Sequence, residues 1–289
     1  MGGNGRWAWP ALFLAPQYLV STVFLLAPIA AGVLFSFFRV SPVSISWLGF
    51  NNYRSIIHDS VFHGAFVNTI LFMVVNVPLT LLLGLAVALV IHPLRPKYQS
   101  IFRITFYLPV ILGVVVISMV WAWIFDPIVG LLNYLLGILH LPQETWLADP
   151  HLALPSLMLV VFTFQFGEAV IILLAGLGGI PMELIEAARV EGAGMWEVFR
   201  LVTLPLLRPA VLFTLVTQTI AVSQVWVVAF ILTGGGPANA TETVGLEIYQ
   251  TAFSELNMGL AAAEGVVLML VVGLVVLGQF RLMRGAFEL

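Results

Sequence analysis

The chain contains no cysteine and a single lysine, Lys97, and only 9% of its 289 residues carry charge. Without cysteine there are neither disulfides nor thiolate metal sites. A phosphate-binding loop needs a lysine directly after a glycine to reach the terminal phosphates, and Lys97 follows Pro96, so the chain holds no such nucleotide site. The shortage of charge excludes more. Soluble domains carry roughly 25% charged residues; here 61% of residues are hydrophobic and the mean hydropathy is +1.08. That composition points to an integral membrane protein rather than a water-soluble fold. The net charge of −3 says little, because in a membrane chain the position of each cation matters more than the sum. Paired histidines are missing too: His58, His63, His92, His140 and His151 are scattered over the connections, so no metal is assigned.

What is present is a series of apolar runs. A bilayer core takes about 20 residues of helix, and six segments reach that length: 18–38, 65–91, 104–125, 154–177, 210–232 and 256–280. The first is longer than the apolar core of a signal peptide and has no small-residue cleavage site after it, so it is read as a span. No linker of altered composition divides the chain. The expectation is therefore an all-α polytopic membrane protein, with residues 1–289 forming one transmembrane domain of six helices. Pro78 and Pro155 fall inside two runs and predict kinks or late starts. Of the eleven Lys and Arg, nine lie on one side of such a topology: Arg6, Arg95, Lys97, Arg103, Arg189, Arg200, Arg208, Arg281 and Arg284. Only Arg39 and Arg54 lie on the other, which predicts cytoplasmic termini.

The loop of about 178–209, between the fourth and fifth spans, is then cytoplasmic. Pro181 suits a first helical turn, and Glu183 and Glu186 complement a helix N-terminus. Gly192 and Gly194 predict a stop, and a second short helix over about 196–204 leads through Pro205 and Pro209 into the membrane. The small Ala187 and Ala188, beside Leu184 and Val190, would let another backbone approach closely, with Glu186, Arg189 and Glu191 fixing register. From the residues alone two readings stay open: a helix that docks a cytoplasmic protein, or an amphipathic helix lying on the membrane surface.

Within the spans, Thr214, Thr217, Gln218, Ala221 and Gln224 fall within an arc of about 120° on one helix at 100° per residue. Gln165 and Glu168 share a face of the fourth helix, and Asn76 and Glu264 add polar groups on the second and sixth. Polar groups are costly in lipid, so they should face a pathway or one another. A pathway for a hydroxyl-rich solute is one reading; interhelical glue is the other, with Asn76 also placed to serve the Pro78 kink. Trp121 and Trp123 read as an interfacial belt. An intramembrane enzyme would need a nucleophile and base, or paired acids, at fixed spacing; Glu168 and Glu264 lie on different helices and neither Cys nor an HExxH pattern occurs. A proton-coupled carrier would use those two acids but leave the cytoplasmic helix unexplained.

Glu186-Ala187-Ala188, three residues, Gly192, nine residues, Val202, one residue and Leu204-Pro205 resemble the signature of binding-protein-dependent ABC importer permeases. Val202 stands where Ile is usual and Glu191 where Asp usually precedes the glycine. The stretches WLGFNNY (47–53), LLNYLLG (131–137), WLADPHLALP (146–155), LLAGLGGIP (173–181) and ILTGGGPANATET (231–243) resemble the carbohydrate branch, of maltose and glycerol-phosphate type, and the last of them its first permease. Asn51 replaces a common Asp, and Glu264 stands where a small residue is expected. The resemblance implies the type I importer permease fold with a coupling helix between helices four and five. It also implies a second homologous permease, a dimer of ABC ATPase subunits holding the ATP and magnesium, and an extracytoplasmic solute-binding protein, in a bacterial or archaeal cytoplasmic membrane. No nucleic-acid partner and no cofactor in this chain are expected. The solute implied is a sugar or oligosaccharide; another polar solute, such as glycerol phosphate or a polyamine, is the alternative, and the scarcity of basic residues in the spans argues against a strongly anionic one.

Overall fold

The computed structural model describes residues 5–42 and 44–283. Arg284, counted above for the charge bias, lies outside them, as does the side chain of Arg6. Apart from one two-stranded ribbon, the described elements are helices: α1 (Gly5–Ser21), α2 (Ala27–Phe35), β1 (Phe38–Val40), β2 (Ile45–Trp47), α3 (Asn51–His58), α4 (Ser60–Ile91), α5 (Pro96–Leu112), α6 (Val114–Ile124), α7 (Leu131–Ile138), α8 (Pro150–Gly178), α9 (Met182–Val190), α10 (Met195–Val198), α11 (Leu204–Ser223), α12 (Val227–Leu232), α13 (Val244–Phe253) and α14 (Met258–Leu282). Five stretches are long and apolar enough to cross a membrane: Phe13–Phe35, Ser60–Ile91, Pro150–Gly178, Met195–Ser223 and Met258–Leu282. A sixth arises if α5 and α6, bent by 95° at Gly113, count as one broken span.

The breaks have local causes. A wide π-type turn at Thr22–Leu26 ends two residues before Pro28, and another at Phe199–Thr203 ends two residues before Pro205. Each proline lacks an N–H and would press its ring on the carbonyl four residues back, and the widened turn relieves this. Through the second of them α10 runs on into α11, so the expected separate helix over 196–204 is the first part of the fifth span. At the other end that span stops at Ser223, short of the expected 232; α12 resumes after Gln224, Val225 and Trp226. Pro78 and Pro155 lie inside the continuous helices α4 and α8.

Two compact units share the chain: residues up to 59 with 248–267, and residues 60–247 with those from 268 on. In the first, β1 and β2 pair antiparallel, Phe38 opposite Trp47 and Val40 opposite Ile45. Gly259 at the start of α14 lies against the Phe38 carbonyl, leaving no room for a side chain. Between Phe13 and Phe35 no residue is buried.

In the second unit α8 is central, packed on α4, α5 and α11. Ala88, Ile91, Val170, Leu173, Leu174, Leu177 and Leu207 make its apolar core. Membrane helices gain no hydrophobic drive from one another and instead close through small residues. The buried residues of α4 include the small or hydroxylated Ala65, Thr69, Thr80, Gly84 and Ala88, beside Phe62, Phe72, Met73, Asn76, Val77 and Ile91. Gly84 approaches Ala169, and Gly176 approaches Ala210. Gly167 is packed against the backbone of Phe106 on α5.

Two asparagines tie connections to helices. Asn68 on α4 donates to the carbonyls of Ala240 (3.2 Å) and Glu242 (2.8 Å), holding the glycine-rich loop 233–243. Asn133, 2% exposed, donates to Pro127 and Glu144 and accepts from the Glu144 N–H and Trp146 Nε1. At the start of that same connection, the N–H groups of Ile128 and Val129 hold the Asp126 carboxyl below its usual pKa.

A β-carbon on Gly167 would overlap the Phe106 carbonyl oxygen. Gly167→Val should therefore lower the thermal midpoint of the detergent-purified protein by several degrees, in line with the ~1–3 kcal/mol that over-packing costs. Gly178→Ala, whose added carbon meets nothing within 4 Å, should leave the midpoint in place. Equal midpoints for the two variants would rule out the α5–α8 packing.

Candidate functional site

Two places carry the polar residues singled out by sequence. The first is the exposed segment from α9 to α10. Helix α9 follows Pro181 and ends in a left-handed stop: Gly192 has φ +89°, its N–H bonds to the Arg189 carbonyl (3.0 Å), and the Ala193 N–H bonds to that of Ala188 (3.0 Å). That paired arrangement satisfies carbonyls that a helix end otherwise leaves open. Gly194 departs from its expected role as part of this stop. Its backbone is extended, and its N–H donates to the Glu197 carboxylate (2.8 Å), so it starts α10 instead of ending α9. Along α9 nothing is buried: Glu186, Ala187, Arg189, Glu191 and Gly192 are exposed and Ala188 is half-buried. Large apolar side chains are exposed beside them, Val190 at 89% and Met195 at 88%. Val202, Leu204 and Pro205 are half-buried in the following turn and the start of α11.

The second place is a cavity of about 230 Å³ lined by Val114, Val161, Phe164, Gln165, Ala221, Gln224, Val225, Trp226, Val227 and Val228. It forms where helices are interrupted: Val114 directly follows the Gly113 bend, and Gln224 to Trp226 are the gap between α11 and α12. Gln165 reaches it from the unbroken α8; it is 6% exposed, and its Oε1 has no hydrogen-bond partner. Gln224 is exposed and stands at the C-cap of α11 rather than inside the helix. The lining contains two amides, two aromatic rings and no ionisable side chain.

The remaining candidates lie elsewhere. Gln218 is 1% exposed and neither atom of its amide has a partner; it faces the bundle, not the cavity. Thr214 is fully buried, with its hydroxyl bonded to the Ala210 carbonyl. Thr217 is half-buried and spends its hydroxyl on the carbonyls of Phe213 (2.9 Å) and Thr214 (3.1 Å). The expected polar stripe is thus split, because α11 turns away before its last member. Asn76 donates to the Met158 carbonyl (3.0 Å) and joins α4 to α8. Glu168 is half-buried, one turn from Gln165, and outside the lining. Glu264 is buried in the first unit, where the Thr251 hydroxyl donates to its Oε1 (3.3 Å). Trp121 is half-buried and Trp123 exposed near the end of α6. Sequence reasoning missed Phe164, Trp226 and Gly113; a glycine in an apolar run four residues after Pro109 was the available signal for the last.

Comparison with known proteins bears on the whole chain. The family described as "Binding-protein-dependent transport system inner membrane component" matches residues 80–285. The lactose transport system permease protein of Rhizobium radiobacter is 32% identical over 275 residues, spanning 93% of this chain and 92% of its own. The sulfoquinovosyl glycerol transport system permease protein of Agrobacterium fabrum is 32% identical over 260 residues, 89% of this chain and 84% of its own. The crystal structure of a bacterial ABC transporter involved in the import of the acidic polysaccharide alginate superposes with a TM-score of 0.82 over 96% of each chain, at 23% identity. That last likeness is one of fold. A helical membrane chain with an exposed segment before its fifth span, matched by this family over more than half its length, is thereby placed: it belongs to the inner-membrane components of binding-protein-dependent transport systems.

Proposed function

We propose that the chain is the permease subunit of an ABC importer for an uncharged sugar or oligosaccharide. The observation that carries this reading is the cavity at the helix breaks. Sugar hydroxyls need donors and acceptors together, and the amides of Gln165 and Gln224 provide both; sugar rings present apolar C–H faces, and Phe164 and Trp226 offer surfaces for them. The similarity to permeases named for lactose and sulfoquinovosyl glycerol transport supports a carbohydrate. The lining has no cation to neutralise an acidic sugar such as alginate. Of the polar residues on the spans, Gln165 and Gln224 are assigned to solute contact; Asn76, Thr217, Gln218 and Glu264 are assigned to bundle structure, and Glu168 to the approach along α8.

Exposed α9 and its glycine stop are assigned to coupling, with Glu186, Ala187, Ala188, Arg189, Glu191 and Gly192 meeting a separate ATPase that holds ATP and magnesium. Val202, Leu204 and Pro205 fix the angle at which this segment enters α11. One ATPase dimer needs two such segments and this chain supplies one, so a second permease of the same family completes the complex. A solute-binding protein delivers the sugar from outside. In this scheme both termini are cytoplasmic. Closure of the ATPase dimer draws the two coupling segments together and rocks one permease against the other, which exposes the cavity to alternate sides.

Three outcomes are expected. Gln165→Leu and Gln224→Leu should each cut sugar uptake by the assembled transporter about tenfold, the scale of the ~1–3 kcal/mol lost when a bound hydroxyl is left unpaired; wild-type uptake by both would remove the cavity from the route. Ala187→Trp adds bulk at an exposed position without disturbing the chain's own packing, and should abolish co-purification of the ATPase while the chain stays in the membrane. Retention of the ATPase at wild-type yield would show that α9 is not the docking element. Single cysteines at Ala238 and Gly194 should react with a membrane-impermeant maleimide from opposite faces, and reaction of both on intact cells would overturn the orientation.

A further inference from the structure

Where Gln224, Val225 and Trp226 line the cavity, the backbone runs between two helices and is held by neither. Helix α11 closes on tight turns, the N–H groups of Gln224 and Val225 reaching back to the carbonyls of Ala221 (3.3 Å) and Val222 (3.2 Å). Helix α12 opens with the Phe230 N–H on the Trp226 carbonyl (2.8 Å). The Val225 carbonyl falls between these two sets of bonds. A buried backbone carbonyl in a membrane protein has to find its partner somewhere.

That partner comes from the end of the glycine-rich loop 233–243. Thr243, 1% exposed, donates its hydroxyl to the Val225 carbonyl (2.7 Å). The same oxygen accepts the Leu246 N–H (3.3 Å), three residues on, as a helix-capping threonine does. One side chain therefore both starts α13 and closes the gap between α11 and α12. The next residue ties the arrangement to α4: the N–H of fully buried Val244 donates to the Thr69 hydroxyl (3.0 Å). At Gly245 a β-carbon would stand 3.2 Å from Cβ of Trp226, 3.6 Å from the Val225 carbonyl oxygen and 3.8 Å from the Gln224 carbonyl carbon. The missing side chain lets the first turn of α13 lie against all three gap residues. Behind Thr243 the loop is stitched to itself, with the hydroxyls of Thr233 and Thr241 2.7 Å apart and that of Thr241 donating to the Gly236 carbonyl (2.7 Å).

We propose that Thr243 and Gly245 are positioning residues of the cavity: the hydroxyl of one and the bare backbone of the other hold Gln224, Val225 and Trp226 in the shape that lines it. Neither residue belongs to the lining itself. Because the gap has no helical bonding of its own, its form follows the loop, and a shift of Thr243 displaces the Gln224 amide and the Trp226 ring together. The effect expected on uptake rests on the reading of the cavity as the solute site; the brace does not.

The assembled transporter is labelled with fluorotryptophan, and the fluorine NMR resonance of Trp226 is identified as the one missing from W226F. T243V keeps the outline of the side chain and removes the hydroxyl, T243S restores the hydroxyl, and G245A crowds the same gap from the other side. The Trp226 resonance should move or split in T243V and in G245A and return to its parental position in T243S. Half-saturation of uptake in T243V should need a several-fold higher sugar concentration, with T243S close to the parent, and the ATPase should still co-purify because α9 is untouched. A Trp226 resonance at its parental position in both T243V and G245A would overturn the brace, and G245A alone decides the matter if T243V does not accumulate in the membrane. A T243S resonance displaced as far as that of T243V would remove the hydroxyl from the proposal. A displaced resonance with parental uptake would uphold the brace and refute instead the assignment of the cavity to the solute.

Discussion

In hydrocarbon a backbone N–H or C=O without a partner costs several kcal/mol, and the architecture follows from avoiding that cost. Long unbroken helices satisfy it outright, and side-chain hydroxyls that could disturb them are returned to carbonyls of the same helix: Thr69 to Ala65, Ser118 to Val114, Thr219 to Leu215. Interruptions are affordable only where protein surrounds them. Gly113 and the gap from Gln224 to Trp226 are such interruptions, and they adjoin the cavity. The cavity proposed for the solute thus lies beside these interruptions, lined also by residues of α8 and α12.

The same rule sorts the polar side chains. Asn76 and Gln279 use their amides to join helices, to the Met158 carbonyl and the Thr219 hydroxyl. Gln165 is on the cavity lining and leaves its buried Oε1 without a partner. Gln218 differs from all three, since it is closed into the bundle with both amide atoms unpartnered. A buried amide in that condition costs about 1–3 kcal/mol per group, so the packing of α11 in this conformation is held in place against a local penalty.

Hydropathy made the number and approximate position of the spans legible, because length and apolarity are set by bilayer thickness. It could not show which face of each helix is buried, since lipid and protein interior are equally apolar. The face of α4 was written only in part, in its small and hydroxylated residues, from Ala65 through Thr80 to Ala88. Boundaries failed where a break has no sequence marker: no local signal told that Gln224 would end α11. Gly192 was legible because its left-handed turn is a local requirement. Gly194 was not, because an extended glycine at a helix start and a left-handed one at a helix end look alike in sequence. Composition found the polar residues of the spans but not their partners, so it could not tell that Gln165 lines the cavity and Gln218 does not.

Asn68 waits for acceptors 172 to 174 residues further along the chain, and the Thr69 hydroxyl receives the N–H of Val244 across 175. During synthesis the second span enters the bilayer long before those groups exist. Until loop 233–243 has been translated, Asn68 lacks these acceptors. Closure of the second unit is therefore a late event: a product truncated before Val244 keeps five spans' worth of apolar sequence yet leaves this seam open.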